Sequence, residues 1–346
     1  MQEIQEVSLD AIQQFVLSKG EAAFRAKQLW EWLWKKNAPD FAAMSNLSAK
    51  LREELSKSFS LYKLQPVEEQ VSKDKSSKFA LQLFDKQRIE MVLIPAKQRA
   101  TVCISSQAGC PLGCTFCATA AMGFARNLQA YEIYQQVFLA QQLAQERYGV
   151  RLSNIVIMGM GEPLLNFENV SQAVQLITSS QGLEMSPSRI TLSTAGIPDG
   201  IRRLADNRLN IQLAVSLHSA DQSIRQELMP IAKTHPLREL SQAIQYYHRH
   251  TQQRITLEYL LLDKVNDSEQ DAEKLASFCR AFPVKINIIE YNSHPFTSWR
   301  QAAEERLNDF VARLEAKNML VQVRRSRGKD IDAACGQLVD KLRIKN

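Results

Sequence analysis

The six cysteines of this chain are unevenly distributed. They are Cys103, Cys110, Cys114, Cys117, Cys279 and Cys335. The CxxxCxxC spacing of Cys110, Cys114 and Cys117 allows three thiolates to bind one soft metal centre. A structural zinc ion normally takes four Cys or His ligands, but after Cys117 no Cys or His occurs before His218. The spacing therefore favours a 4Fe–4S cluster with one iron open to a substrate. A zinc knuckle and buried apolar cysteines are the alternatives.

The composition is typical of a soluble globular protein. The chain has 346 residues, of which 45% are hydrophobic and 23% charged, and its net charge is +6. These values exclude disorder as the dominant state, and the mild basicity permits nucleic-acid binding without requiring it. No segment approaches the ~18 uninterrupted apolar residues of a membrane-spanning helix, and residues 1–6 lack the basic start of a secretory signal. We therefore expect a cytoplasmic protein with reduced thiols.

From about residue 98 the chain alternates between apolar runs and segments of helical periodicity. Such alternation predicts a parallel sheet built from βαβ units, either a closed or partial barrel or an open doubly wound sheet. The predicted strands are Thr101–Ser105, Asn154–Met158, Arg189–Thr194, Ile211–Leu217, Ile255–Leu262, Val284–Ile289 and Leu320–Val323.

Small and polar residues follow four of these predicted strands. The segments concerned are Met158–Leu164, Ser193–Gly196, Ser216–Ser219 and Glu290–Ser293. In parallel α/β folds, ligands bind at the carboxyl ends of the strands. We therefore expect these four segments to form one site.

The first 72 residues are predicted to form a helical accessory domain. Leu47, Leu51, Leu55 and Phe59 have the spacing of one helix face. The tryptophans between residues 30 and 34 suit either a nucleic-acid stacking platform or the core of a small domain, and the core is favoured.

A β-hairpin connector is predicted over residues 73–97. Its strands are Phe79–Phe84 and Ile89–Ile94, and the residues from 73 to 78 are a polar lead-in. The remainder, 98–346, is predicted to be the α/β core domain.

Several motifs resemble the RlmN/Cfr family of RNA adenine methyltransferases, within the radical S-adenosylmethionine (SAM) superfamily. In chain order they are the segment from Cys110 to Leu128, Met158–Leu165, Thr191–Thr194, Ser216–His218 and Arg327–Gln337. The resemblance implies a partial (β/α) barrel of the radical SAM type with a small N-terminal helical accessory domain. The accessory region resembles the family less specifically than the motifs do.

The resemblance also assigns a cluster and a SAM pocket. Cys110, Cys114 and Cys117 would bind the 4Fe–4S cluster, and SAM would bind the open iron through its amino and carboxylate groups. The positions that match the family's SAM pocket are Gly161, Glu162, Ser193, Ser216, Leu217, His218 and Asn292. A carboxylate such as Glu162 can accept charge-assisted hydrogen bonds from an ammonium group.

Two further cysteines and a carboxylate match the family's catalytic positions. Cys335 would carry a methyl group from one SAM, and a second SAM would yield a radical that activates this methyl for addition to adenine. Cys103 would then attack Cys335, form a disulfide and release the methylated RNA. Glu90 matches the proton acceptor, although its position also suits the polar face of an alternating strand. Cys279 has no family match and is interpreted as a filler of a helix.

The implied reaction is methylation of C2 of adenosine in 23S rRNA and in tRNA next to the anticodon. C8 methylation of the rRNA adenosine, the Cfr-type reaction, shares the same chemistry and is the alternative. A non-catalytic, zinc-containing RNA-binding protein is the alternative from another class. We expect a one-electron donor such as flavodoxin and a monomeric enzyme. The seven Lys and Arg against three Asp between residues 324 and 345 suggest a phosphate-binding surface.

Overall fold

The computed structural model describes residues 1–339. The strands in this part are β1 (Gln2–Glu3), β2 (Phe59–Ser60), β3 (Gln65–Val71), β4 (Ser77–Gln82), β5 (Arg88–Ala96), β6 (Arg99–Cys103), β7 (Gln107–Gly109), β8 (Phe124–Asn127), β9 (Leu152–Ile157), β10 (Ile190–Thr194), β11 (Gln212–Ser216), β12 (Ile255–Leu261), β13 (Val284–Glu290) and β14 (Val321–Arg324).

The helices lie between these strands and at the N-terminus. They are α1 (Leu9–Ser18), α2 (Phe24–Trp34), α3 (Ala49–Ser58), α4 (Ala118–Ala121), α5 (Ala130–Tyr148), α6 (Phe167–Thr178), α7 (Pro198–Asp206), α8 (Gln222–Leu228), α9 (Leu237–Thr251), α10 (Glu269–Cys279) and α11 (Glu304–Glu315). Within the described residues, none of them is both long and apolar enough to cross a membrane.

A ten-stranded sheet forms the centre of the molecule, in the order β14-β13-β12-β11-β10-β9-β6-β5-β4-β3. The seven strands from β6 to β14 in this order are parallel and correspond to the seven predicted ones. Their order in space is their order along the chain, as successive βαβ units produce. β6 and β14 are not hydrogen-bonded to each other, so the barrel is partial, as expected.

The predicted hairpin is present but is not a separate connector. β4 and β5 pair antiparallel across the turn at Asp85, and β5 then pairs with β6. The central sheet therefore continues across the boundary expected at residue 97. The polar lead-in was too long by two residues, because Ser77 and Lys78 belong to β4 and are buried.

Residues 65–71 were expected within the helical region, but they form β3 at the edge of the sheet. This strand is mostly exposed and its side chains do not alternate between apolar and polar. Backbone pairing with β4 stabilises it, so no hydrophobic pattern in the sequence marks it.

The N-terminal helices pack around a small aromatic core. Trp34 is fully buried, and its ring lies 5.6 Å from that of Trp30 and 5.1 Å from that of Tyr134 on α5. The interpretation as a core is therefore confirmed for Trp34. The predicted helix was too long at both ends, because Leu47 precedes the N-cap Ser48 and Phe59 lies in β2.

Residues 328–339, here called the C-terminal segment, lie across the open side of the partial barrel. The Asp74 carboxylate accepts a hydrogen bond from the Gly328 N–H at 3.0 Å, and Ser72 donates to Asp330 at 2.6 Å. Further along, the Val339 N–H donates to the Glu90 carboxylate at 2.7 Å. The segment thus links the end of β14 to the opposite edge of the sheet.

Candidate active site

An open cavity lies at the carboxyl ends of the parallel strands. Nine of the thirteen predicted site residues line it: Cys110, Cys114, Cys117, Gly161, Glu162, Ser193, Ser216, His218 and Cys335. The expectation that the four strand-end segments form one site is correct, because the segments after β9, β10 and β11 line the cavity and the fourth segment contributes Tyr291. Glu90, Cys103, Leu217 and Asn292 are not among the lining residues.

The three closely spaced cysteines lie in the loop between β7 and α4. Burial raises the pKa of the Cys110 thiol to about 12 and that of Cys114 well above its ordinary value. The Cys110 and Cys114 thiols therefore stay protonated until a metal replaces their protons. In the described part of the chain, no three His, Cys, Asp or Glu side chains gather closely enough to hold a single metal ion.

Gly161 and Glu162 follow β9 and connect it to the neighbouring strand. The Glu162 carboxylate accepts hydrogen bonds from the backbone N–H groups of Leu164 at 3.0 Å and Ala195 at 2.6 Å. Burial nevertheless raises the pKa of Glu162 to about 7. A carboxylate in this state gains from a nearby cationic group, since the cation favours its charged form.

Gly161 is required by the packing of its own loop. It has a φ of +99°, and a Cβ there would lie 2.5 Å from the Cβ of Gln107. We expect Gly161→Ala to lower the free energy of unfolding by about 3 kcal/mol or more, because strain and overlap add. The control is Gly149→Ala, where φ is +62° and nothing lies within 4 Å, so that strain alone costs about 1 kcal/mol. Urea unfolding monitored by circular dichroism measures both, and equal losses would contradict this role of Gly161.

His218 is a neutral hydrogen-bond donor at the wall of the cavity. Its Nδ1 accepts a hydrogen bond from the Leu260 N–H at 3.0 Å, so the ring proton is on Nε2. Burial lowers its pKa to about 3, and the charge of Arg225 contributes. The ring packs edge-on against Phe116 at 4.8 Å, within the loop that carries the cysteines.

The sequence analysis missed Glu258, a carboxylate on β12 that lines the cavity and is 3% exposed. One of its oxygens accepts from Asn287 at 2.9 Å and from Arg324 at 3.4 Å, and the other oxygen is buried with no partner. Burial raises its pKa, and Arg324 opposes the shift. A single charged residue in the apolar run of β12 was the signal that could have identified it.

Arg225 on α8 was also missed. Its side chain is fully buried and donates from Nη2 to the Ala195 carbonyl at 2.7 Å, while Nε and Nη1 have no partner. Burial lowers the pKa of Arg225 to about 10, and the nearby Cys114 thiolate opposes this. The guanidinium thus interacts electrostatically with one of the three cysteines.

Cys335 reaches the cavity because the C-terminal segment packs against the helix that follows Cys117. The Ala118 N–H donates to the Gly336 carbonyl at 2.7 Å, and the Thr119 hydroxyl donates to the Leu338 carbonyl at 2.6 Å. The Cys335 side chain is exposed and lines the cavity. The carrier candidate and the three-cysteine loop therefore belong to one site.

Cys103 is the last residue of β6 and is partly exposed. Burial raises the pKa of its thiol to about 12, and a charge on Cys335 raises it further, so the two thiols interact electrostatically. Cys279, by contrast, is buried at the end of α10 in the main hydrophobic core.

The three other residues that do not line the cavity form hydrogen bonds to neighbouring parts of the fold. Leu217 is buried, and its N–H donates to the Glu258 carbonyl at 3.0 Å. Asn292 donates to the Ser326 hydroxyl at 2.9 Å. Glu90 lies on β5 against the C-terminal segment.

The basic residues after β14 are largely neutralised by acidic side chains. Arg324 pairs with Glu258, Arg325 with Glu290 and Glu304, Arg327 with Asp74, and Lys329 with Glu290. Counting charges along the sequence therefore overestimated the positive charge that this surface offers to phosphate groups. The count missed the acidic partners because they lie at distant positions in the sequence. The three remaining basic residues of this stretch, at 341, 343 and 345, lie outside the described residues.

Comparisons with known proteins identify relatives over nearly the whole chain. Residues 2–61 match the family model described as the ribosomal RNA large subunit methyltransferase N-terminal domain, and residues 104–276 match the radical SAM superfamily. A probable dual-specificity RNA methyltransferase RlmN from Christiangramia forsetii is 46% identical, covering 98% of this chain and 96% of that protein. The corresponding protein from Flavobacterium psychrophilum is 44% identical, covering 98% of each chain.

A solved structure agrees as well. The crystal structure of a radical SAM methyltransferase from Sphaerobacter thermophilus has a TM-score of 0.92 and 39% identity, covering 98% of this chain and 99% of that one. The interpretation as an enzyme with a radical SAM barrel and an accessory domain is confirmed, and a non-catalytic zinc protein is excluded.

Radical SAM enzymes use a 4Fe–4S cluster and SAM, and the cavity fits both. Three thiols line it, and the unpaired N–H groups of the buried Arg225 suit an anionic cluster beside Cys114. The unpartnered oxygen of Glu258 can accept a hydrogen bond from the hydroxyl or amino groups of SAM. With relatives aligned over nearly its whole length, the chain belongs to the RlmN family of radical SAM RNA methyltransferases.

Proposed function

We propose that this enzyme methylates C2 of adenosine in 23S rRNA and in tRNA next to the anticodon, with Cys335 as the methyl carrier. The observation that carries the proposal is the placement of Cys335 in the cavity lined by Cys110, Cys114 and Cys117. The name of the relatives, dual-specificity RNA methyltransferase, supports two RNA substrates. A one-electron donor such as flavodoxin and a monomeric state belong to the same proposal.

Cys110, Cys114 and Cys117 hold the cluster in this proposal, and the residues around the cavity bind SAM. When bound, these cofactors supply a methyl group and the radical that activates it. Glu162 orients the amino group of SAM through charge-assisted hydrogen bonds. Gly161, Ser193, Ser216 and His218 form the walls, while Leu217 and Asn292 hold the strand ends behind them.

Cys335, Cys103 and Glu90 complete the transfer. Once the carrier methyl carbon is bonded to the adenine, Glu90 takes the proton from the ring carbon. The Cys103 sulfur attacks the Cys335 sulfur, so that a disulfide bond forms and the bond between the Cys335 sulfur and the transferred carbon breaks. A proton returns to the transferred carbon to complete the methyl group, and the unpaired electron of the adduct leaves to a one-electron carrier. The electrostatic interaction between Cys103 and Cys335 supports this exchange.

The site of methylation is tested by the product. Purified enzyme, reconstituted anaerobically, is incubated with 23S rRNA and with tRNA, and the digested nucleosides are resolved by mass spectrometry. We expect 2-methyladenosine from both RNAs. 8-Methyladenosine would overturn the proposal in favour of the Cfr-type reaction, and methylation of only one RNA would limit the substrate range.

The affinity for SAM should depend on the ionisation of Glu162. Its pKa of about 7 means that the carboxylate is charged above this pH and becomes protonated as the pH falls through it. We expect the affinity to weaken roughly tenfold from pH 8 to pH 6, because the protonated form no longer attracts an amino group. Glu162→Gln should bind weakly at both pH values, as measured by equilibrium dialysis with the reconstituted protein. If the Glu162→Gln variant showed the same pH dependence as the wild type, ionisation of Glu162 could not be its cause.

A further inference from the structure

A lysine is buried next to the proposed proton acceptor. Lys78 on β4 and Glu90 on β5 have side chains that are 3% and 9% exposed, and Nζ lies 3.1 Å from a carboxylate oxygen of Glu90. In the register of the two strands, Lys78 pairs with Val92 and Ala80 pairs with Glu90. The two charged residues are therefore diagonal neighbours on one face of the sheet.

Stability alone does not explain why these two charged side chains are buried together. Desolvation of two charges costs several kcal/mol per ion, and well-packed apolar residues are often as stable or more stable in the same place. Buried ion pairs are better explained when they fix one particular arrangement of the groups around them. The contacts of Lys78 and Glu90 identify such an arrangement.

Both members of the pair bind the C-terminal segment, on opposite sides of Cys335. Lys78 Nζ donates to the Asp332 carbonyl at 3.3 Å, and the Val339 N–H donates to the second carboxylate oxygen of Glu90 at 2.7 Å. Asp332 precedes Cys335 by three residues, and Val339 follows it by four. One ion pair therefore holds both flanks of the carrier candidate.

The main chain of Glu90 is connected through Ser105 to the loop that follows β9. Its carbonyl accepts a hydrogen bond from the Ser105 hydroxyl at 2.7 Å, and that hydroxyl in turn accepts from the Met160 N–H at 2.9 Å. Met160 directly precedes Gly161 and Glu162. The backbone at Glu90 is thus set by the loop after β9, whereas its carboxylate is directed toward the C-terminal segment by Lys78.

We propose that Lys78 is a positioning residue that fixes the Glu90 carboxylate and both flanks of Cys335 as one unit. This inference rests on the proposed roles of Cys335 and Glu90. Without the ammonium group, the carboxylate loses its ion pair with Lys78, and the Asp332 carbonyl loses the hydrogen bond from Nζ. The consequence is a looser carrier segment and slower removal of the proton from the adduct.

The test compares Lys78→Met, which keeps the length but not the charge, with Lys78→Arg, which keeps the charge. Lys75→Met is the matched control, since Lys75 lies exposed in the turn that precedes β4. Hydrogen exchange of the full chain reports the segment directly. We expect exchange at the Val339 amide to be about tenfold faster or more in Lys78→Met, and nearly unchanged in the Arg variant and in the control.

The second readout is release of RNA from the covalent adduct, with both cysteines intact. We expect release to slow by about tenfold or more in Lys78→Met, so that the adduct becomes visible, and Lys78→Arg to restore most of the rate. Unchanged exchange at Val339, or faster exchange with normal release, would overturn the positioning role.

Failure of the proposed function has a different signature. If Cys103→Ala gives no adduct at all, the carrier role of Cys335 is wrong, while the exchange measurement still tests Lys78. Should Lys78→Met not fold, the double variant Lys78→Met/Glu90→Gln removes both charges and is expected to be better tolerated. Hydrogen exchange at the Val339 amide is then measured in the double variant instead of in Lys78→Met. Protection equal to that of the wild type would overturn the proposal.

Discussion

Replacement of Cys103 by Ala should leave the enzyme covalently joined to its RNA through Cys335. The variant retains the carrier thiol and the three thiols at the cavity, so methyl loading and addition to adenine proceed. It lacks only the sulfur that attacks Cys335 and releases the product. We expect release to fall on the order of 1000-fold, the scale of losing a covalent nucleophile. A denaturing gel with labelled RNA shows the adduct as a band that carries both protein and label.

The controls for this prediction follow from the position of each thiol. Cys335→Ala should give neither product nor adduct, and the double variant should also give none. Cys279→Ala should behave like the wild type, because Cys279 is buried in the core at the end of α10. Turnover by Cys103→Ala without a trapped adduct would show that another route releases the product.

The barrel was predictable because its strands are uniform in character. The seven parallel strands are four to seven residues long and lie between polar turns or helices. Those in the middle of the parallel part, such as β11 and β12, are mostly apolar because they are largely buried. The antiparallel edge strand β3 was missed because it is exposed and polar, and its pairing with β4 uses only backbone groups.

The site was predictable where a motif is local and unpredictable where distant segments meet. Cys110, Cys114 and Cys117 are close in the sequence, so their spacing alone suggests a common ligand. Lys78 was assigned to a polar lead-in, since its sequence neighbours are polar and its partner Glu90 lies on the next strand. Charges brought together by the fold leave no periodic trace in the sequence.

The pairing of charges from distant positions also explains why the basic stretch after β14 could not be interpreted from the sequence. Arg325 and Lys329 are close in sequence to other cations, but both are paired with Glu290, which lies at the end of β13. Counting charges along the chain treats these groups as available for phosphate, whereas the fold has already paired them. Electrostatic surfaces therefore require the structure even when the family can be identified from motifs.

Replacement of any one of the three proposed cluster ligands, Cys110, Cys114 and Cys117, should abolish the radical chemistry. Cys114→Ala removes a partly exposed thiol that interacts electrostatically with Arg225, and two thiolates cannot hold a 4Fe–4S cluster as three do. We expect iron to fall from about four per chain to nearly none after anaerobic reconstitution. Reductive cleavage of SAM should become undetectable, since the cluster supplies its electron. Iron analysis and chromatography of 5′-deoxyadenosine measure the two effects independently.

The comparison with Cys335→Ala and Cys279→Ala makes this prediction specific. Cys335 lines the same cavity but is not one of the three closely spaced thiols, so its loss should leave both the iron content and the cleavage of SAM intact. Cys279 should be neutral in both measurements, because it lies in the core away from the cavity. Loss of iron in Cys335→Ala would mean that Cys335 is a cluster ligand. It could then not serve as the free thiol that carries the methyl group, and the roles proposed for Cys335 and for the three closely spaced cysteines would be wrong.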